Sequence, residues 1–69
     1  MESSDIEKAI ESIIFVSERP VSLKELAKIF PDTNKKQLKS SIGNLMDQWK
    51  EINRGITLEE VSEGYQFRT

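Results

Sequence analysis

The sequence predicts a mainly helical α+β fold in which three helices precede a C-terminal two-stranded β-hairpin. Three observations predict it. Apolar residues recur at three- and four-residue steps as far as Ile52, and beyond Gly55 they alternate instead. Two Ser-x-x-Glu segments, two prolines and a glycine stand where the starts and stops of three helices are needed.

The first helix is expected to begin at Ser4-Asp5-Ile6-Glu7, a capping box in which the serine hydroxyl accepts from a first-turn amide and the glutamate reaches back. Its stripe is Ile6, Ala9, Ile10, Ile13 and Ile14, about three turns. The end is expected near Ser17, before Glu18-Arg19-Pro20. A second box, Ser22 with Glu25, opens the next helix, and Val21 and Leu26 stand where a hydrophobic staple belongs. That helix is short: Leu23, Leu26, Ala27, Ile29 and Phe30 form its apolar side, and Pro31 stops it. Asp32-Thr33-Asn34 offers caps for a third helix, the longest, with the stripe Leu38, Ile42, Leu45, Met46, Trp49 and Ile52. Asn53-Arg54-Gly55 closes it, with Gly55 suited to a left-handed conformation.

In the hairpin Ile56 and Leu58 belong to one strand and Tyr65 and Phe67 to the other. Two registers fit: a two-residue turn at Glu63-Gly64, or a four-residue loop over residues 61–64. Either way Ile56, Leu58, Tyr65 and Phe67 share the core face, and Thr57, Glu59, Val61 and Gln66 the other. Three helices and then a hairpin, with a short second helix and a long third, is the order of a winged helix-turn-helix with the hairpin as its wing. Residues 1–69 read as a single such domain. Gln66-Phe67-Arg68-Thr69 still alternate where the sequence stops, so the domain is expected to be a fragment cut just after its wing.

Sixty-nine residues allow one modest core. There is no histidine and no cysteine, which removes disulfides, thiolate chemistry and the usual zinc ligand sets, and there is no Gly-rich phosphate loop. No enzyme, cofactor or metal site is therefore expected. The acidic residues read as caps and solvated surface, and Glu59-Glu60, adjacent in a strand, point to opposite sides. The acidic start Met1-Glu2-Ser3-Ser4-Asp5 and the short apolar run Ile13-Ile14-Phe15-Val16 suit neither a signal segment nor a membrane span, so a cytoplasmic protein is expected.

Ten basic against twelve acidic residues, a net charge of -2, count against a dedicated nucleic-acid binder. On the outward face of the third helix Lys35, Lys36 and Lys39 are candidates for weak phosphate contact, but Asp47 and Glu51 oppose them and no arginine is present for guanine. Gly43, inside that helix, costs roughly 1 kcal/mol relative to alanine. With Ser40 it forms either a shallow groove for a partner or a tolerated surface position. Phe15 lies opposite the first helix's stripe. Either the Pro20-Val21 segment buries that last turn, or Phe15 and Val16 belong to a dimer surface. Trp49 reads as core. The acidic, polar outer face of the wing, with Thr57 and Val61 as candidate contacts, suits a strand edge that pairs with another protein better than a DNA-contacting wing.

Three segments carry a family resemblance: Ile10-Glu11-Ser12-Ile13-Ile14-Phe15-Val16-Ser17, Pro20-Val21-Ser22-Leu23-Lys24-Glu25-Leu26-Ala27, and residues 54–69. In the last, Arg54-Gly55, a valine three residues before Gly64-Tyr65, and the closing Arg68-Thr69 have distinctive spacing. Together they resemble the N-terminal winged-helix domain of the bacterial segregation and condensation protein B (ScpB) family; residues 32–44 match in pattern alone. The resemblance implies a second winged helix beyond Thr69 and homodimerisation largely through the present domain. It further implies assembly with the kleisin ScpA and the SMC ATPase on the nucleoid, with ATP hydrolysis left to SMC and kleisin contact mainly through the second domain. The alternative, from the fold alone, is a DNA-binding winged-helix transcription regulator.

Overall fold

Helices α1 (Ser3–Val16), α2 (Leu23–Ile29) and α3 (Lys35–Ile52) precede strands β1 (Thr57–Val61) and β2 (Gly64–Arg68) in this computed structural model, which describes residues 3–69. The acidic start read at Met1-Glu2 lies outside the described residues.

Each boundary has a local cause. The helix α2 start is as expected: Ser22 is extended (φ -80°, ψ 158°), and its hydroxyl accepts from the Glu25 amide at 3.1 Å. The Glu25 carboxylate takes the Ser22 hydroxyl and Arg19, both at 3.4 Å. Asn34 caps α3, its Oδ1 accepting from the Gln37 amide at 2.7 Å. Two expectations are corrected. Ser4 lies inside α1 rather than at its cap, and Glu7 accepts from Asn44 and Gln48 of α3 at 3.1 and 3.2 Å. At the far end of α3 the left-handed residue that ends the helix is Asn53 (φ 50°), its amide on the Trp49 carbonyl at 3.3 Å; Gly55 (φ 89°) bends the chain two residues later.

The hairpin pairs Leu58 with Phe67 and Glu60 with Tyr65, the register of the longer loop, tightened by a further pair, Val61 with Gly64, so that only Ser62 and Glu63 turn. Leu58 and Tyr65 are buried and Ile56 and Phe67 half-buried, as their shared face requires. One feature has no counterpart in the sequence pattern. Val21 forms an isolated antiparallel bridge with Tyr65, amide to carbonyl in both directions at 2.8 and 2.9 Å, which makes β2 the middle of the sheet. Gly64 permits the approach: it sits at φ 146°, and a Cβ there would fall 2.5 Å from the Val21 carbonyl carbon and 2.7 Å from the Ser22 amide nitrogen.

The core gathers Ile6, Ile10 and Ile14 of α1, Leu26 of α2, Leu38, Ile42 and Leu45 of α3, and Val21, Leu58 and Tyr65 of the sheet. Ser41 is buried with them. Two residues assigned to helix stripes fall outside it. Ile29 remains 52% exposed because Leu26, with Leu23, Ala27 and Phe30 beside it, already fills the inward side of a two-turn helix. Ile52 remains 49% exposed because the last turn of α3 outruns the core into exposed residues 53–55. This arrangement is a winged helix, in which α3 and the hairpin flank one side of α1.

Candidate protein-interaction surface

The end of α1, the last turn of α3 and the end of β2 meet at an aromatic corner. Phe67 is its pivot: its ring stands edge-on to Phe15 (centroids 5.4 Å, 65°) and to Trp49 (5.0 Å, 69°). The Trp49 indole N–H donates to the Glu11 carboxylate at 2.8 Å, so α1 is tied to α3 by a polar contact at the rim of an apolar one. Phe15 nevertheless stays 59% exposed and Val16 78%. The alternative in which Pro20-Val21 buries this turn is overturned: α1 stops with the Ser17 hydroxyl on the Ile13 carbonyl at 2.7 Å, and Val21 turns to β2 instead. What is left is an open notch of about 260 Å³ lined by Glu11, Ser12, Phe15, Val16 and Trp49. An apolar floor with a single carboxylate at its rim accepts an apolar side chain.

Glu7, expected in a capping box, and Glu11, expected on a solvated face, both brace α1 against α3. A signal for this was present: their four-residue spacing on one helix matches that of Asn44 and Gln48, with Trp49 adjacent, on the other. Only one ion pair, Arg19 with Glu25, occurs among the described residues, and it is exposed.

The other expected residues do not join the corner. Lys35, Lys36 and Lys39 are exposed in the first turns of α3, where positive charge opposes the helix dipole. Ser40 is exposed, and a Cβ added to Gly43 would meet nothing within 4 Å, so the space over this face is open. Thr57 and Val61 are half-buried on the outer face of the hairpin, where the Thr57 hydroxyl donates to the Glu59 carboxylate at 3.0 Å. Thr57 also lines a groove of about 400 Å³ between α3 and β1, with Met46, Asp47, Lys50, Leu58 and Glu59. The candidates thus divide into the corner, the α3 face and the hairpin.

Among the described residues no group of three or more acidic side chains is placed to hold a metal ion, and no helix is long and apolar enough to cross a membrane. Among the described residues Tyr65 has a displaced pKa: burial, and secondarily the charge of Glu60 opposite it, raise it above the ordinary 10.0.

The family model described as "Segregation and condensation complex subunit ScpB" matches residues 8–69. The segregation and condensation protein B of Ruminiclostridium cellulolyticum is 41% identical over 67 residues, covering 97% of this chain and 35% of that protein. Its counterpart in Clostridioides difficile is 33% identical over 70 residues, covering 100% of this chain and 39% of that one. The chain therefore spans little more than a third of the length of these curated relatives. The crystal structure of ScpB from Mycobacterium tuberculosis superposes with a TM-score of 0.89 at 20% identity, over all of this chain and 42% of that one, a likeness of fold. A conserved hypothetical protein from Chlorobium tepidum gives 0.80 at 25% identity, over 97% of this chain and 42% of that one.

Proposed function

From the premise that this chain belongs to the ScpB family of segregation and condensation complex subunits, we propose that it is a non-enzymatic adaptor module that self-associates through its aromatic corner and serves chromosome segregation and condensation. The observation that carries the self-association reading is the exposure of Phe15 and Val16 over a rigid base. Two edge-on ring contacts and the Trp49–Glu11 hydrogen bond fix the floor of the notch, so an apolar partner surface meets a preformed site rather than one it must order. A second copy brings the same side chains to the same place, the geometry of a two-fold interface. On this reading residues 1–69 are the N-terminal winged helix of a longer chain. A second winged helix then makes most of the contact with the kleisin ScpA, and through it with the SMC ATPase at the nucleoid in the cytoplasm. The greater length of the relatives supports this.

Sedimentation equilibrium of the 69-residue chain tests the reading. A dimer that persists in high salt, and becomes a monomer in Phe15→Ser, is expected. A chain that stays monomeric at all concentrations removes the corner from the account.

Direct DNA contact is a lesser reading, favoured by the exposure of Lys35, Lys36 and Lys39 together on α3. It calls for weak, steeply salt-dependent binding of duplex DNA at about 50 mM salt, where phosphate contacts are strongest. An unchanged fluorescence anisotropy of labelled duplex under those conditions disposes of it.

A further inference from the structure

The two edges of the hairpin are unequal, and the unequal one carries a site. Tyr65 directs both its amide and its carbonyl to Val21, at 2.8 and 2.9 Å. In an antiparallel ladder both backbone groups of a residue point the same way, so Tyr65 faces Glu60 without exchanging hydrogen bonds with it. The alternation then fixes the rest: Val61 with Gly64, Glu59 with Gln66 and Thr57 with Arg68 exchange bonds, while Glu60 with Tyr65 and Leu58 with Phe67 do not. The N–H and C=O of Leu58 and of Glu60 therefore point away from β2, along the outer edge of β1, where the sheet ends.

At Leu58 this matters most. The residue is only 3% exposed, yet the alternation leaves its amide and carbonyl without a partner on β2, and no loop, cap or turn bond reaches them among the described residues. A buried backbone pair of that kind is rare, and is usually matched by a partner or by water. Leu58 borders the groove of about 400 Å³ between β1 and α3, whose far wall is Met46, Asp47 and Lys50. Two residues on, roughly 7 Å along the strand, Glu60 offers a second, solvent-facing amide and carbonyl.

We propose that the outer edge of β1 is a docking site for an extended, basic segment of a different protein, which adds a strand beside Leu58 and Glu60. The charges select this occupant. Asp47 and Glu59 line the groove with Lys50 its one cation, Glu60 adds a further carboxylate on the inner face of the sheet, and Arg68, on the outer face with Glu59, lies across the ladder on β2 rather than at this edge. An added strand fits with an apolar side chain in the groove beside Leu58 and Met46, and lysine or arginine beside Glu59 and Glu60. A second copy of this chain fits less well: antiparallel pairing of two β1 edges about Glu59 or Glu60 sets a glutamate against its own copy, and pairing about Leu58 sets Glu59 against Thr57 and Glu60 against Ile56, with no basic residue opposite either. The site is separate from the aromatic corner and does not rest on self-association.

The test uses two capped hexapeptide probes, one alternating lysine and valine and one alternating glutamate and valine, titrated into the 69-residue chain. Binding is followed by amide resonances and by hydrogen exchange. Expected are saturable binding of the lysine probe, slowed exchange at the Leu58 and Glu60 amides, and no binding of the glutamate probe. Glu60→Pro removes one outward N–H that the β1–β2 ladder does not use, and should weaken the lysine probe about tenfold. Should that variant fail to fold, the double variant Glu59→Lys, Glu60→Lys is to lose the lysine probe. Phe15→Ser should leave probe binding unchanged, which separates failure here from failure of the corner. The proposal is overturned if both probes bind alike, if the lysine probe saturates without protecting Leu58 and Glu60, or if the double variant binds it as well as the parent does.

Discussion

The seam at Val21, Ser22, Gly64 and Tyr65 and the corner at Phe15, Val16, Trp49 and Phe67 are both junctions between the hairpin and the helices, and they are finished in opposite ways. At the seam two short backbone bonds close the contact, a serine caps the helix that follows, and a glycine lets two backbones come closer than any side chain would allow. At the corner the contact is made by side chains alone, edge to face, and two apolar residues are left to solvent. The difference separates two kinds of interaction energy. Substitution at the seam is expected to cost folding; on the proposed reading, substitution of the exposed Phe15 or Val16 costs association and leaves the monomer nearly intact.

The sharpest way to break this distinction is Gly64→Ala. Its Cβ would meet the Val21 backbone and its φ of 146° disfavours any side chain, so a loss of about 3 kcal/mol or more is expected by urea denaturation. In a domain of this size that is a large part of the total. Ser22→Ala should cost about 1 kcal/mol in the same measurement, through loss of the cap, whereas Ser4→Ala, where the same motif does not cap, should change stability by less than about 0.5 kcal/mol. Equal losses at the two serines would mean that α1 is capped by Ser4 after all. Phe15→Ser should lower monomer stability by no more than about 1 kcal/mol, since only the contact with Phe67 is lost from a side chain already 59% exposed. A larger loss would make the corner structural and blur the contrast.

The smallest effect is absent at neutral pH. Tyr65 has a raised folded pKa, so its contribution is fully present below the unfolded value near 10.0 and is lost as pH rises through the folded one. Stability measured by thermal melting should therefore fall on the alkaline side, and Tyr65→Phe should flatten that fall. Glu60→Gln should flatten it less, because burial is the larger cause. An alkaline limb unchanged in Tyr65→Phe would place its origin elsewhere.

Much of this architecture was legible because its causes are local. The Ser22 box, the Asn34 cap, the proline stop after α2 and the parity of the hairpin depend on residues a few positions apart, and each stands where expected. Ser4-Asp5-Ile6-Glu7 shows the limit of such reasoning. The motif is as good as the second, but Glu7 faces amide donors from Asn44 and Gln48 on a packed neighbour, and those contacts take the side chain that would have reached back. The Val21–Tyr65 bridge was illegible for a related reason: one residue pair has no periodicity to detect. At the corner Phe15 and Val16 were singled out by their place opposite the stripe. That Phe67 and Trp49 would carry Phe15 depends on how three elements converge, which spacing within any one of them does not contain.

The Val21–Tyr65 bridge also has a kinetic meaning. It joins the two ends of a stretch of chain that holds α2, α3 and β1, so it closes a long loop, and the entropy of that closure must be met before its two hydrogen bonds return anything. The helices can collapse on local contacts first. The latch is therefore expected to close late, and its opening to loosen the start of α2 together with β2, while Leu58 and Tyr65 still hold the wing to the core.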